Sequence, residues 1–372
     1  MQRLIPTITK KTYQNILKPV FFRIDPEKVH IRTIALGEWM GQQEFLKKLI
    51  SSQYKIESPA LHQRLSGINF SSPIGLAAGF DYEARLTQIT PSIGFGFHSV
   101  GTITNSAFKG NPRPQLGRLP ESQSLMVNKG FRNLGAEKTA EKLKRLGFEI
   151  PTGISIGRTN SAKLNQKQSI EDIIRAFNIF EKAQVENTYY ELNISCPNLF
   201  GNVTFYTKNN LEDLLSEIDK LRLKKPVCIK MPISNSDREI QIMLDVIAKH
   251  SPKGVIFGNL QRDRTHPSLI KREIKKFKVG NFSGKPTFER SNELISLAYR
   301  GYKTRLLIIG CGGVFSAEDA YIKIKKGASL VQLITGMIFE GPQLIYEINS
   351  GFLELLKKDG FSNISEAIGI EN

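Results

Sequence analysis

Cysteine and acidic side chains are scarce in this chain, and no long apolar run occurs in it. Three cysteines in 372 residues, Cys196, Cys228 and Cys311, are too few and too scattered for a disulfide framework. The longest apolar stretches, around Leu306 to Ile309 and Leu330 to Ile334, fall far short of the roughly 18 residues a spanning helix needs. Met1 to Lys11 lacks the apolar segment and small-residue cleavage site of a secretory signal, so a reducing, cytoplasmic setting is the expectation. No metal ligand set is expected. What is present is apolar content: 40% hydrophobic and 9% aromatic residues suffice for a large core and exclude disorder, collagen and coiled coil.

The shortage of acid leaves 52 Lys+Arg against 35 Asp+Glu, a formal charge of +17. Clustered cations would suit nucleic-acid phosphates. Here they come as doublets, such as Lys10-Lys11, Lys47-Lys48, Lys224-Lys225, Lys275-Lys276 and Lys325-Lys326, at expected helix ends or loops. A solvated surface is the simplest reading, and among partners an anionic membrane is favoured over RNA.

From about Pro73 a pattern repeats: a short Ile/Val/Leu-rich run, a Gly or Asn at its end, then an amphipathic stretch. Eight such runs occur: Ile74 to Ala78, Gly94 to Gly101, Thr152 to Gly157, Tyr189 to Ser195, Val227 to Met231, Gly254 to Asn259, Leu306 to Gly310 and Leu330 to Thr335. Continuous apolar strands alternating with helices imply a parallel sheet covered on both faces, and eight units close into a (β/α)8 barrel. Asp81, Thr102, Arg158, Asn193, Cys196, Asn198, Lys230, Asn259 and Thr335 all fall at or beyond strand C-termini, where such barrels carry their chemistry. A doubly wound sheet is the weaker alternative, because no G-x-G-x-x-G follows the first strand.

Residues 1–65 lie outside the repeat and predict a small helical domain ahead of a barrel domain over 66–372. Asp25-Pro26-Glu27 has the form of a helix start, and Ile31, Ile34, Trp39, Phe45, Leu46, Leu49 and Ile50 recur at helical spacing. Residues 1–50 hold nine Lys+Arg and four Asp+Glu beside Ile5, Tyr13, Ile16, Leu17, Val20, Phe21 and Phe22. Short basic, apolar helices suit an anionic membrane surface; simple packing on the barrel is the other reading.

The densest chemistry is Asn193-Ile194-Ser195-Cys196-Pro197-Asn198, where two amides that can hold a planar ring flank a thiol able to move a proton. A buried Cys is often no more than a small hydrophobe, and Cys228 reads as packing. Gly310-Cys311-Gly312-Gly313 and Thr335-Gly336 close strands seven and eight, the usual phosphate site of a barrel, although glycines also serve plain turns. Lys230, a lone charge at the end of strand five, suits negative charge on a reduced flavin.

Nine segments resemble the membrane-associated, quinone-dependent class 2 dihydroorotate dehydrogenases over almost the whole chain. They are FFRIDPEKVH (21–30), SPIGLAAGFD (72–81), GFGFHSVGTIT (94–104), NPRPQLGRLPES (111–122), NISCPN (193–198), IKM (229–231), NFSGKP (281–286), IIGCGGV (308–314) and GASLVQLITGMIFEGP (327–342). The resemblance implies an FMN enzyme that oxidises dihydroorotate to orotate in pyrimidine synthesis and passes electrons to a quinone. It implies a monomer held peripherally on the cytoplasmic side of the inner membrane. It puts FMN against Ala78, Gly79, Thr102, Ser155, Asn193, Lys230, Gly258, Ser283, Gly284, Gly312, Gly313, Thr335 and Gly336. It puts the pyrimidine against Asn128, Asn193, Asn198 and Asn259, the quinone tunnel beside His30 and Arg118, and the base at Cys196.

The departures fall on the substrate side. Class 2 enzymes typically carry Ser as base and class 1 enzymes Cys; a thiol near pKa 8.5 is expected to ionise far more readily than a hydroxyl. Tyr82 stands where a substrate-contacting Lys is expected, and Arg132 stands where an Asn is expected, in a segment (NKGFRNLG, 128–135) one residue short. Either Arg132 supplies the lost cation to the substrate carboxylate, or the pocket is reshaped for another ring. Ser155 and Thr159 replace two Asn, with Arg158 in place of a Lys, and LFGNVTFYTKNN (199–210) departs from the usual lid loop. Two alternatives stay open: an FMN barrel acting on another reduced pyrimidine, free or in tRNA, and a flavin-binding relative that has lost catalysis. Nucleic acid is the less favoured partner, since no further RNA-binding domain follows the barrel.

Overall fold

The computed structural model describes residues 3–372; Met1 and Gln2, where the predicted helical segment begins, lie outside the described residues. The chain opens with helices α1 (Leu4–Thr12), α2 (Lys18–Arg23), α3 (Pro26–Gly41) and α4 (Glu44–Tyr54), with one π-helical turn between the first two. Asp25 caps α3 as its sequence suggests, its carboxylate accepting from the Lys28 backbone N–H at 2.9 Å. The apolar series from Ile31 to Ile50 is divided between two helices, with the break at Gln42 and Gln43. These helices hook onto the far end of the chain: Tyr13 donates its hydroxyl to the Ile338 carbonyl (2.6 Å), and the Gln14 amide donates to the carbonyls of Phe339 (3.0 Å) and Glu340 (3.1 Å).

A hairpin of β1 (Gln63–Leu65) and β2 (Ile68–Phe70) follows, then β3 (Ile74–Leu76), α5 (Thr90–Ile93), β4 (Phe97–Ile103), β5 (Leu116–Leu119), β6 (Ser124–Val127), α6 (Ala136–Leu143), β7 (Thr152–Ile156), α7 (Gln166–Lys182) and β8 (Tyr189–Asn193). The second half runs α8 (Lys208–Lys220), β9 (Val227–Met231), α9 (Asp237–Ile247), β10 (Gly254–Phe257), α10 (Lys271–Ile274), β11 (Asn281–Gly284), α11 (Phe288–Tyr302), β12 (Leu307–Cys311), α12 (Ala317–Lys325), β13 (Leu330–Leu333), α13 (Thr335–Glu340) and α14 (Leu344–Asp359). All eight apolar runs become strands. They close into a parallel barrel in the order β3-β4-β7-β8-β9-β10-β12-β13, with β13 paired back to β3.

The second run starts later than its composition suggests. Gly94 takes the left-handed conformation (φ +98°) that ends α5, so β4 begins at Phe97 and runs on through Thr102. Helices α7 and α9 start at full capping boxes, Asn165 with Gln168 and Ser236 with Glu239, and turn their apolar stripes inward. Phe70, Phe97, Tyr189, Cys228, Ile256, Ile309 and Leu330 plug the lower barrel, so Cys228 is packing, as its sequence context suggests. Beyond the barrel, β5, β6 and β11 form a small antiparallel sheet that eight-fold periodicity does not reveal. No helix among the described residues is long and apolar enough to cross a membrane.

Candidate functional site

At the C-terminal ends of the barrel strands lies a cavity roofed by residues of the β5-β6-β11 sheet and by His30 of α3. Cys196, Asn193, Asn198, Asn259, Lys230, Tyr82 and Arg132 line it, as do Ala78, Gly79, Thr102, Gly258, Ser283, Gly284, Gly312, Gly313, Thr335 and Gly336. Three expected residues stand off it. Ser155 sits behind Thr102, their hydroxyls 3.0 Å apart. Asn128 turns away, accepting from Asn111 (3.1 Å) and donating to the carbonyls of Pro112 (3.3 Å) and Pro114 (3.4 Å). Arg118 donates to the Ile24 carbonyl (2.7 Å) and lies 5.0 Å from the Phe22 ring centroid, joining sheet to N-terminal helices.

One wall is bare backbone. Gly258, Gly284, Gly312 and Gly313 all have positive φ, and a Cβ on Gly336 would lie 1.9 Å from the Val314 carbonyl oxygen. Such a wall lets N–H groups come close to a phosphate. Lys230 is buried, faces this cavity, and has no hydrogen-bond or carboxylate partner among the described residues. No Asp or Glu lines the cavity, whereas Lys129, Arg132 and Lys230 do. The site is built for anions.

In the same cavity, the amides are cross-braced. Asn193 donates to Thr102 Oγ1 (2.9 Å) and accepts from the Ser195 hydroxyl (3.1 Å); Asn259 donates to Ser195 Oγ (2.5 Å). Asn198 donates to the Val127 carbonyl (3.0 Å) and accepts from Asn281 (2.7 Å), fixing the strand-end loop to the small sheet. Cys196 stands among them. Enclosure by protein pushes its thiol up to about 11, opposed by the Asn198 backbone N–H and by the charges of Arg158 and Lys230. The sequence-based expectation of easy ionisation near 8.5 is therefore corrected: desolvation outweighs the nearby cations.

Cys196 also lines a second cavity of about 870 Å³ beneath the 199–206 loop, with Arg158, Thr204, Tyr206 and Arg262. Arg158 is buried without a carboxylate partner; it donates to the Phe200 carbonyl at 2.5 Å, which pins this loop beside the thiol. The thiol thus separates two spaces, one facing the glycine wall and one facing the loop.

Tyr82 anchors the remaining corner. His30 stacks on its ring (centroids 5.4 Å, 23°), and its hydroxyl lies 3.3 Å from His30 Nδ1 and accepts from Lys129 Nζ at 3.2 Å. Burial lowers His30 to about 4, with the Lys129 charge adding to the effect, so the imidazole is neutral. Sequence reasoning passed over Lys129. Its signal was adjacency to Asn128 in the shortened NKGFRNLG segment, where attention went to Arg132.

A sequence profile described as dihydroorotate dehydrogenase matches residues 60–356. Among curated relatives, a dihydroorotate dehydrogenase (quinone) of Acaryochloris marina is 33% identical over 374 residues, covering 96% of this chain and 99% of the relative. One from Gloeobacter violaceus is 34% identical over 355 residues, covering 95% and 98%. Crystal structures of DHODH from Eimeria tenella, one in complex with ferulenol and one ligand-free, superpose with TM-scores of 0.80 and 0.82 at 26% identity. They cover 93% and 94% of this chain, and 96% and 99% of their own. With a family match over residues 60–356 and relatives 33–34% identical along almost its whole length, this chain belongs to the dihydroorotate dehydrogenase family.

Proposed function

We propose that the protein oxidises dihydroorotate to orotate and delivers the electrons to a quinone. The observation that carries this reading is the pairing, in one cavity, of a carboxylate-free glycine and lysine wall with a cross-braced amide cluster around the Cys196 thiol. The wall fits FMN: Gly258, Gly284, Gly312, Gly313 and Gly336 leave room for backbone donors to reach its phosphate, and Lys230 supplies a cation for the reduced ring. Bound there, FMN supplies a two-electron acceptor for the hydride leaving C6 of the substrate. The chain's own residues do the rest. Asn193 and Asn259, held in place by Thr102 and Ser195, orient the pyrimidine, and Cys196 Sγ takes the proton from C5.

A quinone suits the end of the cavity lined by His30, Leu116 and Ile338, against the N-terminal helices. Among the described residues, eleven of the sixteen exposed large apolar side chains fall between Leu4 and Leu49, Trp39 (53% exposed), Phe45 (75%) and Leu49 among them. With a net charge of +5 over residues 1–50, this face fits the surface of an anionic membrane. The α3 helix and the β5-β6-β11 sheet lie across the barrel mouth, which favours a small substrate over a pyrimidine within RNA.

The test is an anaerobic absorbance scan of the purified protein. L-dihydroorotate should bleach a flavin band near ~450 nm, a property of the cofactor itself, and a soluble quinone should restore it. A band that dihydroorotate leaves untouched overturns the substrate; one that oxygen but no quinone restores overturns the acceptor.

A further inference from the structure

Lys129 has a charge that forms no ion pair among the described residues. Its side chain is nine-tenths buried, it faces the cavity that holds Cys196, Asn193 and Asn259, and no carboxylate among the described residues lies within ion-pair distance. Its one hydrogen-bond partner is the Tyr82 hydroxyl, and its ammonium lies 4.7 Å from the centroid of that ring. The Arg132 guanidinium lies 5.7 Å from the same ring. Two cations thus share one aromatic platform on the cavity wall. Burying an ammonium without a counterion is expensive, and two like charges over one ring repel each other, so the arrangement is complete only when an anion joins it.

We propose that Lys129 and Arg132 form the carboxylate-binding subsite of this enzyme, with Tyr82 as the platform that holds them. The inference rests on the functional reading above and deepens it: dihydroorotate is an amide-bearing ring with one carboxylate, and the amides beside Cys196 take the ring. The glycine wall, across the cavity, is left for the cofactor's phosphate. Lys129 is the principal member because it is the more buried and lacks any protein anion; Arg132 completes a two-pronged grip. Neither residue touches the reacting carbon atoms, so both act on binding and position.

The site carries a pH signature. Burial lowers Lys129 to about 8; the Glu27 charge opposes the fall, Arg132 adds to it and Glu83 opposes it, and the neutral His30 and Tyr82 complete its surroundings. Above that pH the free site must take up a proton to bind an anion, so carboxylate affinity declines as pH rises past 8.

The experiment compares parent protein, Lys129→Met, Lys129→Arg and Arg132→Met, each purified with its flavin, by titration with orotate and with uracil, which lacks the carboxylate. Loss of a charge-assisted hydrogen bond to a buried anion should weaken orotate binding by about 10- to 100-fold in Lys129→Met. Uracil binding should stay the same, and Lys129→Arg should keep most of the preference. In turnover the loss should appear in KM more than in kcat. Orotate binding in Lys129→Met as tight as in the parent, with the same decline above pH 8, overturns the inference. If orotate does not bind the parent at all, the functional reading fails and the subsite is judged by calorimetry with nicotinate and nicotinamide. A parent preference for nicotinate that Lys129→Met abolishes upholds the subsite; equal binding of the two by the parent overturns it. Lys129→Met removes an unpaired buried charge and should fold at least as stably as the parent, which thermal melts verify.

Discussion

The thiol proposed as base sets the sharpest expectation. Enclosure raises Cys196 from its ordinary 9.0 to about 11. That rise of about two pH units corresponds to roughly 2.7 kcal/mol against the thiolate, at 1.36 kcal/mol per unit. At pH 8 about one molecule in a thousand then carries the reactive form, and at pH 7 about one in ten thousand. Flavin reduction by L-dihydroorotate, followed by anaerobic stopped-flow absorbance, should therefore quicken about tenfold per pH unit from about pH 7 to 10 without levelling off. Cys196→Ala should lower the rate by roughly 10²- to 10⁴-fold and abolish the slope. Arg158→Met, which removes a cation that favours the thiolate, should slow the reaction at every pH below the thiol's own range. A plateau near neutral pH, or an alanine variant that keeps both rate and slope, would refute the assignment of Cys196 as base.

The cofactor wall makes a steric prediction: in Gly336→Ala the new Cβ meets the Val314 carbonyl oxygen, and the protein should purify with roughly tenfold less flavin, read from absorbance per chain. The triple variant Trp39→Ser, Phe45→Ser and Leu49→Ser should lose sedimentation with anionic vesicles, since each side chain contributes roughly 1.5–3 kcal/mol when buried; unchanged sedimentation would place the membrane face elsewhere. Stability should peak near pH 8.5 in denaturant titrations. Below that, folded Lys323 and Lys129 release protons at about 7 and 8 while the unfolded chain still holds them, so stability rises with pH. Above it, Cys196, Cys228 and Cys311 stay protonated in the fold while unfolded thiols ionise near ~8.5, and three thiols outweigh two lysines.

Some of this was legible in the sequence because one physical constraint acted on it alone. Strands covered on both faces must be apolar throughout, so all eight barrel strands stood out as runs, and Asp25-Pro26 marked a helix start through local geometry. The β5-β6-β11 sheet did not show. Its strands are four residues long and half-buried, and Ser124 pairs with Gly284, which lies 160 residues away. The same holds for Lys129, whose meaning depends on Tyr82, 47 residues earlier, and for the thiol, whose residue type is visible but whose desolvation is not.

The hook between Tyr13, Gln14 and the end of α13 makes that six-residue helix a beam supported at both ends. Its first residues, Thr335 and Gly336, belong to the cofactor wall, and its last, Ile338 to Glu340, hang from the N-terminal helices. Lifting those helices from the barrel releases one support, so the proposed attachment at a membrane surface and the proposed retention of FMN would be mechanically one property. Deleting residues 1–24 should then yield a protein that both leaves the vesicle and loses its colour.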